Sequence, residues 1–157
     1  MVRKKQRIRA VLDTNLFVSG LFASHGTMAD LQQLWVAGAF ELAASEAILL
    51  EITATLQKPS IQKELFLQPE EIGEIVHLIR ERAFIVTKDL YQIDRITADP
   101  DDNKFLACAL EAQADFVVSG DNHLLSLKHF HRIQIVDAYT FTKKVNEQNP
   151  SFPAASR

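Results

Sequence analysis

The sequence predicts an α/β protein, a three-layer α/β/α sandwich around a parallel five-stranded sheet. Short apolar runs at residues 9–12, 40–43, 84–87, 115–119 and 133–136 alternate with stretches of helical periodicity. That alternation is the signature of βαβ units, whose right-handed crossovers cover both faces of a sheet. The first run also lacks any polar alternation: Ala10, Val11 and Leu12 are apolar in succession and too few for a core helix, as expected of a strand buried on both faces.

Each element has its own signal. Residues 16–25 read as a connection closed by Gly26. A helix is expected over 27–37, with Met28, Leu31, Leu34 and Trp35 on one face, Thr27 as N-cap and Gly38 as the stop. Ser45 opens a second helix to about residue 57, with Ile48, Leu49, Ile52 and Leu56 forming its stripe and Pro59 ending it. Residues 68–82 give the clearest amphipathic pattern: Pro69, Glu70 and Glu71 occupy the first turn, and Ile72, Ile75, Val76 and Ile79 recur at i, i+3, i+4 and i+7. Residues 88–98 are a polar connection of irregular pattern. Asp99-Pro100 begins a fourth helix to about 113, Gly120-Asp121 turns the chain, and a last helix is expected over 137–147. This defines one domain, residues 1–147, followed by a tail from 148 whose composition predicts disorder.

Composition narrows the class. With 157 residues, 47% hydrophobic and 24% charged, the chain suits a single globular core without a covalent staple. Cys108 is the only cysteine, which excludes an internal disulfide and a thiolate metal cluster and fits a reducing, cytoplasmic setting. No apolar run approaches the roughly 18 residues of a membrane span, and the opening MVRKKQRIR lacks the apolar segment of a secretory signal. Net charge is −3, yet Arg3, Lys4, Lys5, Arg7 and Arg9 crowd the first nine residues. Such a cluster reads first as a solvated arm and gains interest only if the partner is a polyanion.

The informative residues are acids. Asp13 ends the first strand, so in an open parallel sheet it enters the crevice beyond the strands' carboxyl ends, where ligands collect; its competing role is a turn-forming side chain. Asp99, Asp101 and Asp102 sit together at a helix start, where acids also serve as caps and dipole partners. Helical phase separates them. The apolar face of Phe105, Leu106, Ala109 and Leu110 centres at about 70° from Phe105, with Asp102 at about 60° and Asp101 at about −40°. Asp102 therefore faces the sheet, at the edge that receives Asp13. Asp121 emerges from the fourth strand at that same edge, whereas Asp115 begins that strand and belongs to the opposite end. Glu46 and Glu51 both border the apolar stripe of the second helix, and phase does not choose between them.

These residues resemble the PIN domain, named for the PilT N-terminal segment and typified by VapC-type toxin ribonucleases. The likeness runs from Arg9 to about Val145 through VLDTN, SEAILLEI, DPDDNKFLACAL and VVSGDNHLL. It is closest to single-domain members described as toxins of toxin–antitoxin pairs. The resemblance implies a parallel sheet of order 3-2-1-4-5 and a catalytic, metal-holding set of Asp13, Glu51, Asp102 and Asp121. It also implies supporting positions at Thr14, Asn15 and Ser119, with Asp99 beside the third acid. A homodimer and a small antitoxin are implied partners.

The chemistry follows from crowding. Several carboxylates within a few ångströms raise one another's pKa, and a hard divalent cation relieves the repulsion. All-oxygen ligation suits Mg²⁺ or Mn²⁺. Such an ion neutralises a scissile phosphate and activates water, and with the resemblance to PIN-domain ribonucleases this implies RNA hydrolysis to a 5′-phosphate and a 3′-hydroxyl as the expected reaction. RNA would be recruited by basic groups, with residues 3–9, Lys104 and Lys128 as candidates. His123, His129 and His131 lack the companions of a zinc site and read as loop residues. An aspartyl-phosphate phosphatase also opens on a strand ending in Asp but wants a second acid two residues on, where this chain has Asn15. A PIN-like module that binds RNA or a partner without cutting is the remaining alternative, and the complete acid set argues against it.

Overall fold

The computed structural model describes residues 7–96 and 99–149. The basic residues Arg3, Lys4 and Lys5, and the tail from Pro150 onward, lie outside the described residues.

The strands are β1 (Ile8–Leu12), β2 (Phe40–Ser45), β3 (Phe84–Val86), β4 (Phe116–Val118), β5 (His129–Phe130) and β6 (Ile133–Val136). They form one sheet of order β3-β2-β1-β4-β6-β5. The five expected strands are all present and parallel, in the expected order. The sheet gains one member, β5, which pairs antiparallel with β6 at the edge. Its two residues are too few to leave a periodic signal. The central strands β1 and β4 are almost wholly buried, as their unbroken apolar character requires.

The helices are α1 (Thr14–Leu21), α2 (Gly26–Val36), α3 (Glu46–Leu56), α4 (Pro59–Glu64), α5 (Pro69–Arg82), α6 (Asn103–Ala112), α7 (Asn122–Leu125) and α8 (Ala138–Gln148), with a 3₁₀ turn at Pro100–Asp102. Side-chain alternation along β2 assigns the layers. Phe40 stacks edge-on against Phe141 of α8, whereas Ser45, of opposite parity, bonds the thiol of Cys108 on α6. Helices α6 and α8 therefore cover opposite faces.

Four expectations change. Residues 16–25 are not a connection: α1 starts directly after Asp13, whose carboxylate caps it, and Phe17 and Val18 are buried. Helix α2 starts at Gly26, with His25 and not Thr27 at the N-cap position, and no side chain caps it. Pro59, taken as a terminator, is the first residue of α4, where its missing N–H costs nothing. The fourth helix begins as a 3₁₀ turn in which Asp99 makes no capping bond, leaving its carboxylate available to the site. Residues 88–96 have no regular structure, in keeping with their irregular pattern.

Candidate active site

Register brings the acids together. Leu12 pairs with Val118, so the next residues, Asp13 and Ser119, leave the carboxyl edge side by side. The Asp13 N–H still donates to Val118 O at 3.0 Å, and Ser119 N–H to Val136 O at 3.0 Å, which fixes both backbones. Asp13 is only 8% exposed, and both of its oxygens are engaged. Oδ1 accepts from Leu16 N–H at 2.7 Å; Oδ2 accepts from the Ser119 hydroxyl and from Gly120 N–H at 3.3 Å. Ser119 Oγ in turn accepts from Asp121 N–H at 2.9 Å, so one buried hydroxyl ties the first acid to the last. The turn-forming role and the crevice position of Asp13 are thus both realised.

Asp99, Asp102 and Asp121 each present a carboxylate oxygen, and these three atoms lie within 4.8 Å of one another. Asp121 also caps α7 by accepting from His123 N–H at 2.8 Å. Asp102 Oδ2 is buried with no hydrogen-bond partner. Burial, then the charges of Asp99 and Asp121, then hydrogen bonding of the protonated carboxyl to Asp121, and last the charge of Asp13, push the Asp102 pKa up to about 7. Burial also raises the pKa of Asp13, against the lowering effect of its bonds to Ser119, Leu16 and Gly120. Asp101 points away, its side chain 80% exposed, in agreement with the helical phase.

Glu51 does not join these oxygens. Its carboxylate is held by Lys104, whose ammonium also lies 3.1 Å from Asp101. Burial works against the Lys104 charge, but the two carboxylates outweigh it and its pKa is raised. Glu46 turns outward into a two-pronged pair with Arg80, at 2.6 and 2.9 Å. Among the supporting positions, Thr14 is buried with its hydroxyl unpartnered, whereas Asn15 is exposed and makes no side-chain bond among the described residues. Asn103 is a site residue that sequence reasoning missed. Its buried amide accepts from Ile96 N–H at 2.8 Å and donates to Ile96 O and Pro100 O at 2.9 Å, locking the turn that carries Asp99 and Asp102. Its one visible sign is an amide where the apolar face of the helix begins.

Of the basic candidates for RNA recruitment, Arg7, Arg9 and Lys104 are already engaged, whereas Lys128 is exposed and Arg3, Lys4 and Lys5 lie outside the described residues. Arg7 and Arg9 sit at the amino end of β1, opposite the acids, and are consumed there. Arg9 bonds Glu41 Oε1 and Ala112 O at 2.6 Å each and covers the Phe84 ring at 3.9 Å; Arg7 pairs with Glu41 at 3.5 Å. Lys104 serves as counter-ion to Glu51 and Asp101.

The donor set fits a hard divalent cation. It offers converging carboxylate oxygens, one of them buried and unpaired, without nitrogen or sulfur ligands. A parallel α/β/α sheet with an acid cluster beyond the carboxyl ends of its two central strands defines the class. A family model for the PIN domain matches residues 9–123, and the chain belongs to the PIN-domain family. It is also 29% identical over 125 residues to "Uncharacterized protein MJ1680" of Methanocaldococcus jannaschii, a match covering 80% of this chain and 78% of that protein. PIN domains are generally nucleases that use divalent metals, so nuclease chemistry and an acidic metal-binding centre are the family's expectation here. Among the described residues no helix is long and apolar enough to cross a membrane.

Proposed function

We propose that this protein is a Mg²⁺- or Mn²⁺-dependent endoribonuclease that hydrolyses RNA phosphodiester bonds to a 5′-phosphate and a 3′-hydroxyl. The observation that carries the reading is the convergence of Asp99, Asp102 and Asp121 around a buried, unpaired carboxylate oxygen at the sheet's carboxyl edge. Asp102 and Asp121, with Asp13 behind them, would hold the ion. Asp99 enters this set through its position, and Glu51 would enter only by leaving Lys104. When bound, such an ion neutralises the scissile phosphate and lowers the pKa of an attacking water.

The chain's own residues prepare the site. Ser119 and the Leu16 N–H orient Asp13, and the same hydroxyl holds the backbone of Asp121, so the two acids keep a fixed spacing. Asn103 fixes the backbone ahead of Asp102. Asp102 carries a proton near neutrality in the metal-free site and must release it for its oxygen to become a full ligand. Lys104 neutralises two outlying carboxylates, which limits repulsion of an incoming phosphate.

The finer assignment, a toxin paired with a small antitoxin and acting as a cytoplasmic homodimer, rests on the likeness of its motifs to VapC-type ribonucleases. Growth arrest on induction, relieved by a neighbouring gene product, tests that part. For the reaction, purified protein is incubated with total RNA in Mg²⁺, Mn²⁺ or EDTA and new 5′ ends are mapped. Metal-dependent ends that vanish in Asp102→Asn are expected. Absence of cutting with either metal favours the non-catalytic PIN-like module.

A further inference from the structure

Beside the acid cluster, along the same carboxyl edge, a cleft of about 360 Å³ opens over the ends of β2 and β3. Its size falls at the lower end of the range for small-ligand sites, about 300–1,000 Å³. We propose that this cleft is a nucleobase subsite for the RNA, selective for bases bearing an exocyclic amine, and that it fixes where the strand is cut. The proposal deepens the nuclease reading and rests on it for the choice of RNA as occupant.

The cleft is built by specific bonds. Its outer wall is the irregular segment 87–96, pinned to α6 at both ends. At one end Glu111 accepts from Lys88 N–H at 2.9 Å and Leu90 N–H at 3.0 Å; at the other, Asn103 clasps Ile96 in both directions. Between these anchors the segment stands off the helix. Val86, Ile93 and Ala107 give an apolar lining, and Tyr91, 39% exposed, supplies an aromatic face at the mouth. Flat apolar walls with a ring suit base stacking.

Charge decides what the cleft can hold. Glu46, Asp89 and Glu111 line it against one cation, Lys104, which already serves Glu51 and Asp101. A phosphate is therefore unwelcome, whereas a neutral base is not. Glu46 is engaged by Arg80 and Glu111 by backbone amides, but the Asp89 carboxylate has no side-chain partner among the described residues. Carboxylates read exocyclic amines, as in their pairing with cytosine N4. Uracil would turn a carbonyl oxygen toward Asp89 and be rejected. Asn103 and Lys104 line the cleft and directly follow Asp102, so cleft and acids share a wall. One or two strand spacings, about 5–10 Å, separate them, within reach of a neighbouring nucleotide.

The test uses the full chain, isotope-labelled, titrated with adenosine, cytidine and uridine without metal, followed by cut-site mapping in total RNA. Adenosine and cytidine should shift the amide signals of residues 87–93 and 104–108, with uridine about tenfold weaker because it has no exocyclic amine and its N3–H lies between two carbonyl oxygens that the Asp89 carboxylate repels. Asp89→Asn should erase that preference, and Ala107→Phe, which fills the cleft, should erase binding. Cuts by the wild type should carry an amino-bearing base at one fixed position, a bias lost in both variants. Should Ala107→Phe fail to fold, Asp89→Asn on the exposed segment decides alone. Nucleosides that leave these signals unmoved while RNA is still cut overturn the subsite and leave the nuclease reading standing. Nucleoside binding without any cutting does the reverse. Equal binding of uridine overturns the selectivity, and tighter binding of N-acetylarginine amide than of any nucleoside assigns the cleft to a protein partner.

Discussion

The two edges of the parallel sheet treat charge in opposite ways. At the amino edge Arg9 meets Glu41, the Ala112 carbonyl and the Phe84 ring, while Asp115 Oδ2 accepts from Arg9 N–H at 2.9 Å. Glu41 and Asp115 there each have a cation or a donor. At the carboxyl edge Asp99, Asp102 and Asp121 converge, and among the described residues no cation pairs with them and one buried oxygen has no partner. The chain closes its charges where nothing needs to bind and leaves them open beyond the ends of β1 and β4. A buried carboxylate oxygen without a donor is costly, and this edge is where the proposed ion would relieve that cost.

The largest test of this contrast is neutralisation at each edge. Asp102→Asn should lower RNA cleavage by on the order of 100-fold or more, since it removes the least satisfied ligand. Asp115→Asn, at the amino edge, should leave cleavage within about twofold, as expected of a substitution remote from the chemistry. Equal loss in both would dissolve the contrast. In EDTA at about pH 8, where Asp102 is ionised, Asp102→Asn should melt higher than wild type because repulsion is relieved. Asp13→Ala should melt lower, because Asp13 is also the cap of α1 and the acceptor of Ser119, and a lost cap alone costs about 1 kcal/mol.

Metal sharpens the same comparison. At one hundred times Kd a divalent ion stabilises the folded site by about 2.7 kcal/mol, or roughly 5–10 °C in Tm for a chain of this size. Calorimetry with Mn²⁺ should find that shift in wild type and in Arg9→Met, and a much smaller one in Asp102→Asn. Arg9→Met should itself lower stability by about 1–3 kcal/mol, as it strands Glu41 and the Ala112 carbonyl. An unchanged Tm would mean that the amino edge is not closed by Arg9.

The pH dependence is next. The folded pKa of Asp102 lies near 7, above its ordinary value of 3.8, so between the two the folded state holds the extra proton. Stability from this group is therefore present at about pH 4 and lost as pH rises towards 7, while metal affinity rises over the same window. Melting curves in EDTA from pH 4 to 8 should fall more steeply for wild type than for Asp102→Asn; parallel curves would refute the shift. The smallest effect separates two glutamates. Glu51→Gln should reduce cleavage more than Glu46→Gln, because it frees Lys104 beside the site, whereas Glu46 pairs with Arg80 on the surface. The reverse order in matched kinetic assays would reassign the pair.

Local signals in the sequence determined the parallel strands and placed Asp13, Asp102 and Asp121 at their carboxyl edge, whereas the strand order came from the resemblance to the PIN domain. An unbroken apolar run ending in Asp13, and a helical phase that turns Asp102 inward and Asp101 outward, depend only on neighbours in the chain. Short elements escaped: α4, α7 and β5 span six, four and two residues, too few for a period to repeat. Helix α1 was hidden because its cap is the same aspartate that closes β1. What only the tertiary structure decided is how charged groups share their partners. Lys104 meets Glu51 across 53 positions, Ser119 meets Asp13 across 106, and Arg9 is spent on Glu41 and Ala112 at the far edge. Such pairings depend on distances between strands and helices remote in sequence, and a Coulomb or hydrogen-bond energy fixed by a few ångströms leaves no trace in the order of residues.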